Sequence, residues 1–177
     1  MSRLNLGSGH RRLDGWVNVD HQPMTHCDML LDIEAEPWPF DDGSVTEIEA
    51  SHVLEHITDL TWVMREAYRV MEPGAIMRIA VPHHHSEGFY GDPTHKTPIT
   101  IAVLELFSKK KCAEARAKGW PNTPLADYHD IDFDVVSYEF DLTPRWQNKG
   151  LDQSNLAFVI ESYNNVVDQV RFVLRRV

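Results

Sequence analysis

The 177-residue sequence predicts an α/β fold: a mostly parallel sheet of seven strands between layers of helices, with an antiparallel strand near the C-terminus. Three observations lead there. The chain opens on a short apolar stretch that runs into Gly7-Ser8-Gly9, and the next apolar stretch ends on an acid, Asp20. An amphipathic stretch over residues 60–71 then separates two strand-like stretches, the strand–helix–strand order of a parallel sheet. Two alternating stretches, 132–142 and 168–177, pair as a hairpin-like edge of mixed direction.

Leu4 and Leu6 alternate with smaller or polar neighbours, as the buried face of a strand does. Without a Cβ at positions 7 and 9 the backbone can turn tightly and offer its N–H groups to a ligand. Trp16 to Val19 is the second strand. Asp20 stands at its carboxyl end, where open parallel sheets bind ligands and where a carboxylate suits the paired hydroxyls of a ribose. Gly7 to Gly15 spans nine residues, fewer than the roughly ten to twelve of a usual crossover, so only a turn or two of helix fits between them. Met29-Leu30-Leu31 reads as a third short buried strand ending at Asp32, and Glu36 to Ser44, with two prolines and Asp-Asp-Gly, as a turn-rich loop. Val45 to Ser51 is extended again. Leu60, Val63, Met64, Ala67, Tyr68 and Met71 form one helical stripe, capped by Thr58 or Asp59 and stopped by Pro73-Gly74. A strand follows over Ala75–Pro82, then a polar, histidine-rich loop from His83 to Pro98 at the carboxyl edge of the sheet. Beyond it the pattern predicts a helix from Ile101 to about Lys118 closed by Gly119, a loop over 120–130, a strand over 132–142, a polar connection, a helix over Asn155–Tyr163 and a last strand.

Seventeen basic and 27 acidic side chains give a formal charge of −10, which argues against nucleic acid as a partner. Arg11-Arg12, Lys109 to Lys111 and Arg175-Arg176 are small clusters without interleaved aromatics, and read as solvated surface. No apolar run is long enough to span a membrane, and the chain enters a strand where a signal peptide would have its apolar core, so a cytoplasmic protein is expected. Cys27 and Cys112 lie far apart and outside any CxxC spacing, which disfavours a disulfide framework or a structural zinc. The length suits one domain over residues 1–177.

Five ordered blocks, "LNLGSG", "GWVNVD", "LDIEAEPWPFDDGSV", "ASHVLEHITD" and "REAYRVMEPGAIMRIAVP", resemble the class I S-adenosylmethionine-dependent methyltransferases, in particular the methyltransferase type 11 branch. The resemblance implies a Rossmann-like three-layer sandwich and S-adenosylmethionine as cofactor. It places Gly7, Ser8 and Gly9 beside the methionine and ribose, Asp20 with its neighbour His21 at the ribose hydroxyls, Asp32 and Ile33 at the adenine edge, and Ser51 and His52 at the methionine end. Asn5 stands where the family usually has an acid beside the cofactor. The helix that normally precedes the first strand is lacking, so a second copy, as in a homodimer, or a late loop is expected to cover that wall of the cleft. A dinucleotide fingerprint fails on spacing, because its third glycine falls on Arg12.

Methyl transfer needs nucleophile, methyl carbon and sulfur held in line, and a nitrogen or oxygen nucleophile can also need a base. Histidine suits that task near neutral pH, so His95 and His84 lead the catalytic candidates, with His52 and Asp92 after them. Against these stand plainer readings: His56 as a packed or capping residue, the triple histidine as a polar loop or adventitious metal binder, and Trp38, Trp120 and Trp146 as loop anchors or interface residues. A metal set of His83, His85, Asp92 and His95 is conceivable, but nothing in the spacing enforces its geometry and no dedicated metal site is expected. The function that follows is methyl transfer to a small-molecule or glycan-like acceptor. The alternatives are a non-catalytic cofactor-binding domain that acts through a protein partner, and a metal-dependent hydrolase built on the histidine loop.

Overall fold

Seven strands form one sheet in the computed structural model, which describes residues 1–23, 26–35 and 37–177. They are β1 (Ser2–Leu6), β2 (Val17–Asp20), β3 (Met29–Leu30), β4 (Val45–Ser51), β5 (Met71–Pro82), β6 (Phe133–Leu142) and β7 (Val167–Arg176). Their spatial order is β3-β2-β1-β4-β5-β7-β6, parallel from β3 to β5, with β7 antiparallel to both β5 and β6. Flanking helices make the architecture Rossmann-like, as the sequence predicts. The helices are α1 (Leu60–Val70), α2 (Glu87–Tyr90), α3 (Ile101–Glu105), α4 (Lys109–Ala117), α5 (Leu125–His129), α6 (Pro144–Gln147) and α7 (Gln153–Ser162).

Register separates the two faces of the sheet. Leu4 lies beside Ile48, Ile48 beside Met77, Leu6 beside Ala50, and Ala50 beside Ile79, which pairs with Phe172. All are almost fully buried, in one cluster with Val63, Met64 and Ala67 of α1 and with Leu104 and Phe107. Each large aliphatic side chain so buried contributes about 1.5–3 kcal/mol. The opposite face carries charge: Arg11–Glu49 (3.1 Å), Arg78–Glu47, Arg171–Asp141 (2.6 Å) and Arg175–Asp134 (2.7 Å). In each pair the arginine is about half-exposed, so the pairs are worth little stability individually.

Several boundaries differ from the sequence reading, each for a local reason. The connection after β1 holds turns rather than a short helix, and buried side chains replace the helix as its frame. Asn5 Nδ2 donates to Arg11 O (2.7 Å) and to Asn18 Oδ1 (2.9 Å), which also accepts from Leu13 N (2.8 Å). Asp28 accepts from Asn18 N and Nδ2 and from Arg12, and these bonds, led by the Asn18 backbone N–H, hold its pKa down at about 2. β3 is a two-residue edge strand whose Leu30 is 61% exposed, not a buried one. α1 is capped by Asp59, whose carboxylate accepts from Trp62 N (3.0 Å), but it ends at Val70, before Pro73. Met71 already pairs with Val45, and the extra residues before the Ile76–Glu47 pair bulge out around Gly74 (φ 85°). The helix read as continuous from Ile101 is broken, because the Leu106 and Phe107 carbonyls accept from Ala126 N and Phe133 N and Ser108 caps a new helix. Helices α2, α5 and α6 stand where loops were expected. The Pro-rich loop before β4 is fixed by α1: Glu66 accepts from Trp38 N (2.8 Å), and Arg69 donates to Trp38 O and Phe40 O (both 2.9 Å). Glu36, the first residue of that loop, and residues 24–25 of the loop after Asp20 lie outside the described residues.

Candidate functional site

The carboxyl ends of β1, β2 and β4 meet at the glycine turn. Gly7 has φ 58°, and a Cβ there would lie 2.5 Å from Val53 Cγ2, so the backbone is pressed against the chain leaving β4 as only glycine allows. Ser8 N donates to Val19 O (3.0 Å), tying the turn to β2. Gly9 N donates to Asp20 Oδ2 (2.7 Å) and Gln22 N to Asp20 Oδ1 (2.8 Å). Asp20 is thus held by one backbone N–H on each oxygen, and each oxygen keeps a lone pair for a further donor.

From this floor rises a cleft of about 810 Å³. Gly7, Gly9, Asp20, His21 and Gln22 line its base; Leu31, Asp32, Ile33 and Glu34 line one wall; His52, Val53, His56, Ile57, Pro93, Thr94 and Lys96 line the other. Of the sequence candidates for cofactor contact, Gly7, Gly9, Asp20, His21, Asp32, Ile33 and His52 come together there. Asn5 does not line the cleft: it is buried, with its amide given to Arg11 and Asn18. Ser8 and Ser51 also stand outside the lining. Sequence reading missed the outer wall from Pro93 to Lys96, which long-range bonds bring in: Lys96 N and Thr97 N donate to Glu55 O (2.7 and 3.1 Å), and Thr97 Oγ1 donates to Ile57 O (2.9 Å).

His52 joins this cleft to the β7 side of the sheet. It is a non-glycine residue at φ 55°, a sparsely populated conformation of the kind found where a chain presents a side chain to a site. Gln169 Nε2 donates to Asp141, so Gln169 Oε1 accepts from His52 Nε2 (3.0 Å). His52 Nδ1 faces Glu55 Oε1 at 3.4 Å, and the nearby carboxylate raises the His52 pKa above its ordinary value. With Nε2 bonded to Gln169 and Nδ1 turned to the Glu55 carboxylate across a gap too long for a good hydrogen bond, His52 is a positioned wall residue rather than a free base.

A second hollow of about 770 Å³ is lined by Ser86, Glu87, Gly88, Thr143, Arg145, Trp146, Tyr163, Asn164, Asn165 and Asp168. Trp146 and Tyr163 face one another there with ring centroids 6.2 Å apart. Trp38 is the buried anchor the sequence suggests, donating from Nε1 to Ile33 O (3.1 Å), whereas Trp120 is 62% exposed.

The other catalytic candidates line neither hollow. Asp92 is an exposed acid that accepts from Thr94 N and Oγ1. His95 turns Nδ1 to Phe89 O (2.8 Å) and is almost buried. The rings of His83, His84 and His85 stack on one another, with His84 centroids 4.3 and 4.2 Å from its neighbours. Burial, and then the two neighbouring rings, push the His83 pKa down to about 4, and burial also lowers that of His84. Because folded His83 resists protonation, its contribution to stability is complete above the ordinary value of 6.5 and is lost as pH falls toward about 4. The chain is therefore expected to lose about 2 kcal/mol between pH 7 and pH 4.5 through this residue, after allowance for solvent. In urea unfolding, His83→Asn, which keeps an acceptor for His85 N, should flatten that slope; an unchanged slope would place the titration elsewhere.

Comparison with known proteins bears on the fold that carries this site. Residues 17–79 match the family model for the methyltransferase domain of the type 11 family. No curated protein sequence matches significantly. Among solved structures, an S-adenosylmethionine-dependent methyltransferase from Archaeoglobus fulgidus is similar over 98% of this chain and 86% of its own, with a TM-score of 0.63 at 15% identity. A Haloferax volcanii structure of the Trm112 methyltransferase activator complexed with a methyltransferase gives 98% and 81% coverage, a TM-score of 0.54 and 16% identity. Geranyl diphosphate C-methyltransferase from Streptomyces coelicolor A3(2), in complex with Mg2+, geranyl-S-thiolodiphosphate and S-adenosyl-L-homocysteine, gives 99% and 69%, 0.54 and 16%. At these identities the likeness is one of fold.

Proposed function

We propose, for a chain that is a class I S-adenosylmethionine-dependent methyltransferase in fold and, over residues 17–79, in sequence, that it binds S-adenosylmethionine in the cleft above Asp20 and methylates a small, polar, glycan-like acceptor. The observation that carries this reading is Asp20 itself: a carboxylate at the end of β2, latched to Gly9 and Gln22, with lone pairs left for the two ribose hydroxyls. The volume of the cleft is in the range of nucleoside-cofactor pockets, and its Leu31 and Ile33 wall suits the faces of an adenine ring. The bound cofactor supplies an electrophilic methyl group on a sulfonium whose departing sulfide is neutral. The protein's task is then alignment more than charge stabilisation. Gly7 and Gly9 allow the backbone to approach, Asp20 fixes the ribose, and His52, held by Gln169, bounds the methionine end.

The second hollow, whose Asp168 is the chain neighbour of Gln169, is the acceptor subsite in this reading. An aromatic pair beside Arg145, two asparagines and Asp168 suits a hydroxyl-rich ligand, whose apolar faces stack while its hydroxyls bond. The test is calorimetric binding of S-adenosylhomocysteine, followed by transfer of labelled methyl to fractionated small polar metabolites and glycans. Saturable binding is expected, with Trp146→Ala lowering transfer at least about tenfold while leaving cofactor affinity within about twofold. No binding at millimolar cofactor would end this reading.

A second reading is favoured by β6, an edge strand that exposes Val136, Tyr138 and Phe140 (52, 47 and 38%). Here the chain is a non-catalytic cofactor-binding domain that acts through a protein partner docked on this edge; a similar fold from Haloferax volcanii is found in complex with a methyltransferase activator. Cofactor binding without transfer by the isolated chain would support it; transfer by that chain would dismiss it.

A further inference from the structure

We propose that Glu55, His56 and His95 bind one divalent first-row transition-metal ion of zinc type, which fastens the loop after α2 to the turn after β4 and so sets the outer wall of the cleft. Glu55 is 1% exposed, and among the described residues neither of its carboxylate oxygens has a hydrogen-bond partner. A carboxylate buried in that way is costly unless a cation answers it. Lys96, whose backbone N–H bonds the Glu55 carbonyl, sends its ammonium instead to Thr58 Oγ1 (2.7 Å). His52 Nδ1, at 3.4 Å, lies beyond a good hydrogen bond.

One ligand atom from each of Glu55, His56 and His95 lies within 4.8 Å of the others. The hydrogen bonds behind the two rings select their tautomers. Phe89 O can only accept, so His95 Nδ1 (2.8 Å away) carries the proton and Nε2 keeps its lone pair. The Thr94 hydroxyl donates to Asp92 Oδ1 (2.6 Å), so it accepts from His56 Nδ1 (2.9 Å), and His56 Nε2 is likewise left bare. A ring whose distal N–H is fixed by a carbonyl, or by a hydroxyl backed by a carboxylate, is the usual outer support of a metal-bound histidine. The rings meet edge to face with centroids 4.6 Å apart. Two imidazoles and a carboxylate, each about 2.0–2.2 Å from an ion after a small inward shift, leave a fourth tetrahedral position for water. This is not the set suggested by the histidine run: of those four residues only His95 takes part, and two of the ligands come from "LEHI".

The experiment uses tag-free, metal-stripped full chain titrated with Zn2+ and, separately, Co2+. One equivalent of Zn2+ is expected to bind and to raise the thermal midpoint by several degrees, and Co2+ to give a visible absorption band typical of a low-coordinate nitrogen–oxygen site. Glu55→Gln and His95→Ala should each lower Zn2+ affinity at least about tenfold, and Thr94→Val, which removes the hydroxyl behind His56 and leaves all three ligands in place, should lower it as well. The double variant His84→Ala/His85→Ala should bind as the wild type does. Glu55→Gln removes a buried charge, so its metal-free form should fold at least as stably as the parent; if His95→Ala fails to fold, this variant still decides. The proposal is overturned if Zn2+ does not bind stoichiometrically, if Glu55→Gln binds it unchanged, or if the double variant loses it, which would assign binding to the histidine run.

Discussion

Gly7→Ala is expected to destabilise the fold by about 2–4 kcal/mol and to weaken cofactor binding with it. The new methyl carbon would stand 2.5 Å from Val53 Cγ2 and 2.7 Å from Val53 Cβ, distances that no rotamer change of Val53 can relieve, because Cβ does not move with χ1. Either β1 must retreat or the chain after β4 must shift, and that chain carries His52, Val53 and His56 into the cleft wall. Gly9→Ala separates the steric part from the backbone part. Gly9 has a similar φ of 51°, but nothing lies within 4 Å of its would-be Cβ, so the substitution should cost only the left-handed penalty of about 1 kcal/mol. Pairing Gly7→Ala with Val53→Ala should recover little, since the offending Cβ remains; pairing it with Val53→Gly should recover most of the clash. Urea unfolding of the set measures each difference. Equal losses for Gly7→Ala and Gly9→Ala would show that the contact with Val53 does not decide the cost.

Legibility in the sequence followed the range of the interactions. Strand alternation showed through because one face of the sheet is apolar and the other charged, so Leu4, Ile48 and Met77 contrast with Arg3, Glu47 and Arg78 along each strand. The floor of the cleft was legible for the same reason, since Gly7, Gly9 and Asp20 end adjacent strands. Its outer wall was not, because Pro93 to Lys96 are held at the cleft by bonds such as Thr94 to His56 and Lys96 Nζ to Thr58 Oγ1, each between residues 38 positions apart in the chain. The His52–Gln169 contact spans 117 positions and leaves no local pattern. A signal for Glu55 did exist. It is an acid between the wholly buried Leu54 and the buried Ile57, in a segment too short to turn it outward. The break between α3 and α4 had no local cue either, because the carbonyls that interrupt the helix are claimed from Ala126 and Phe133.

Asp20→Asn is expected to weaken S-adenosylhomocysteine binding about 100-fold, or ~3 kcal/mol, although the substitution is nearly isosteric. The carboxylate accepts from a backbone N–H on each oxygen, at 2.7 Å from Gly9 and 2.8 Å from Gln22. An amide has only one oxygen, so its NH2 must face one of these two donors, and that donor is left unpaired and repelled. If Gly9 loses its partner, the glycine turn is released from β2 except for the Ser8–Val19 bond; if Gln22 does, the loop beyond β2 opens. The ribose hydroxyls also exchange charge-assisted acceptors for a single neutral one, which alone accounts for about 1–2 kcal/mol. Asp32→Asn provides the contrast. Among the described residues Asp32 Oδ1 accepts from Glu34 N alone (3.0 Å), so an amide oxygen can keep that bond, and a loss below about tenfold is expected. Calorimetry on both variants, with urea unfolding to separate affinity from stability, tests the assignment. Equal losses at the two acids would mean that general negative charge at the carboxyl edge, rather than the latched geometry of Asp20, governs the cleft.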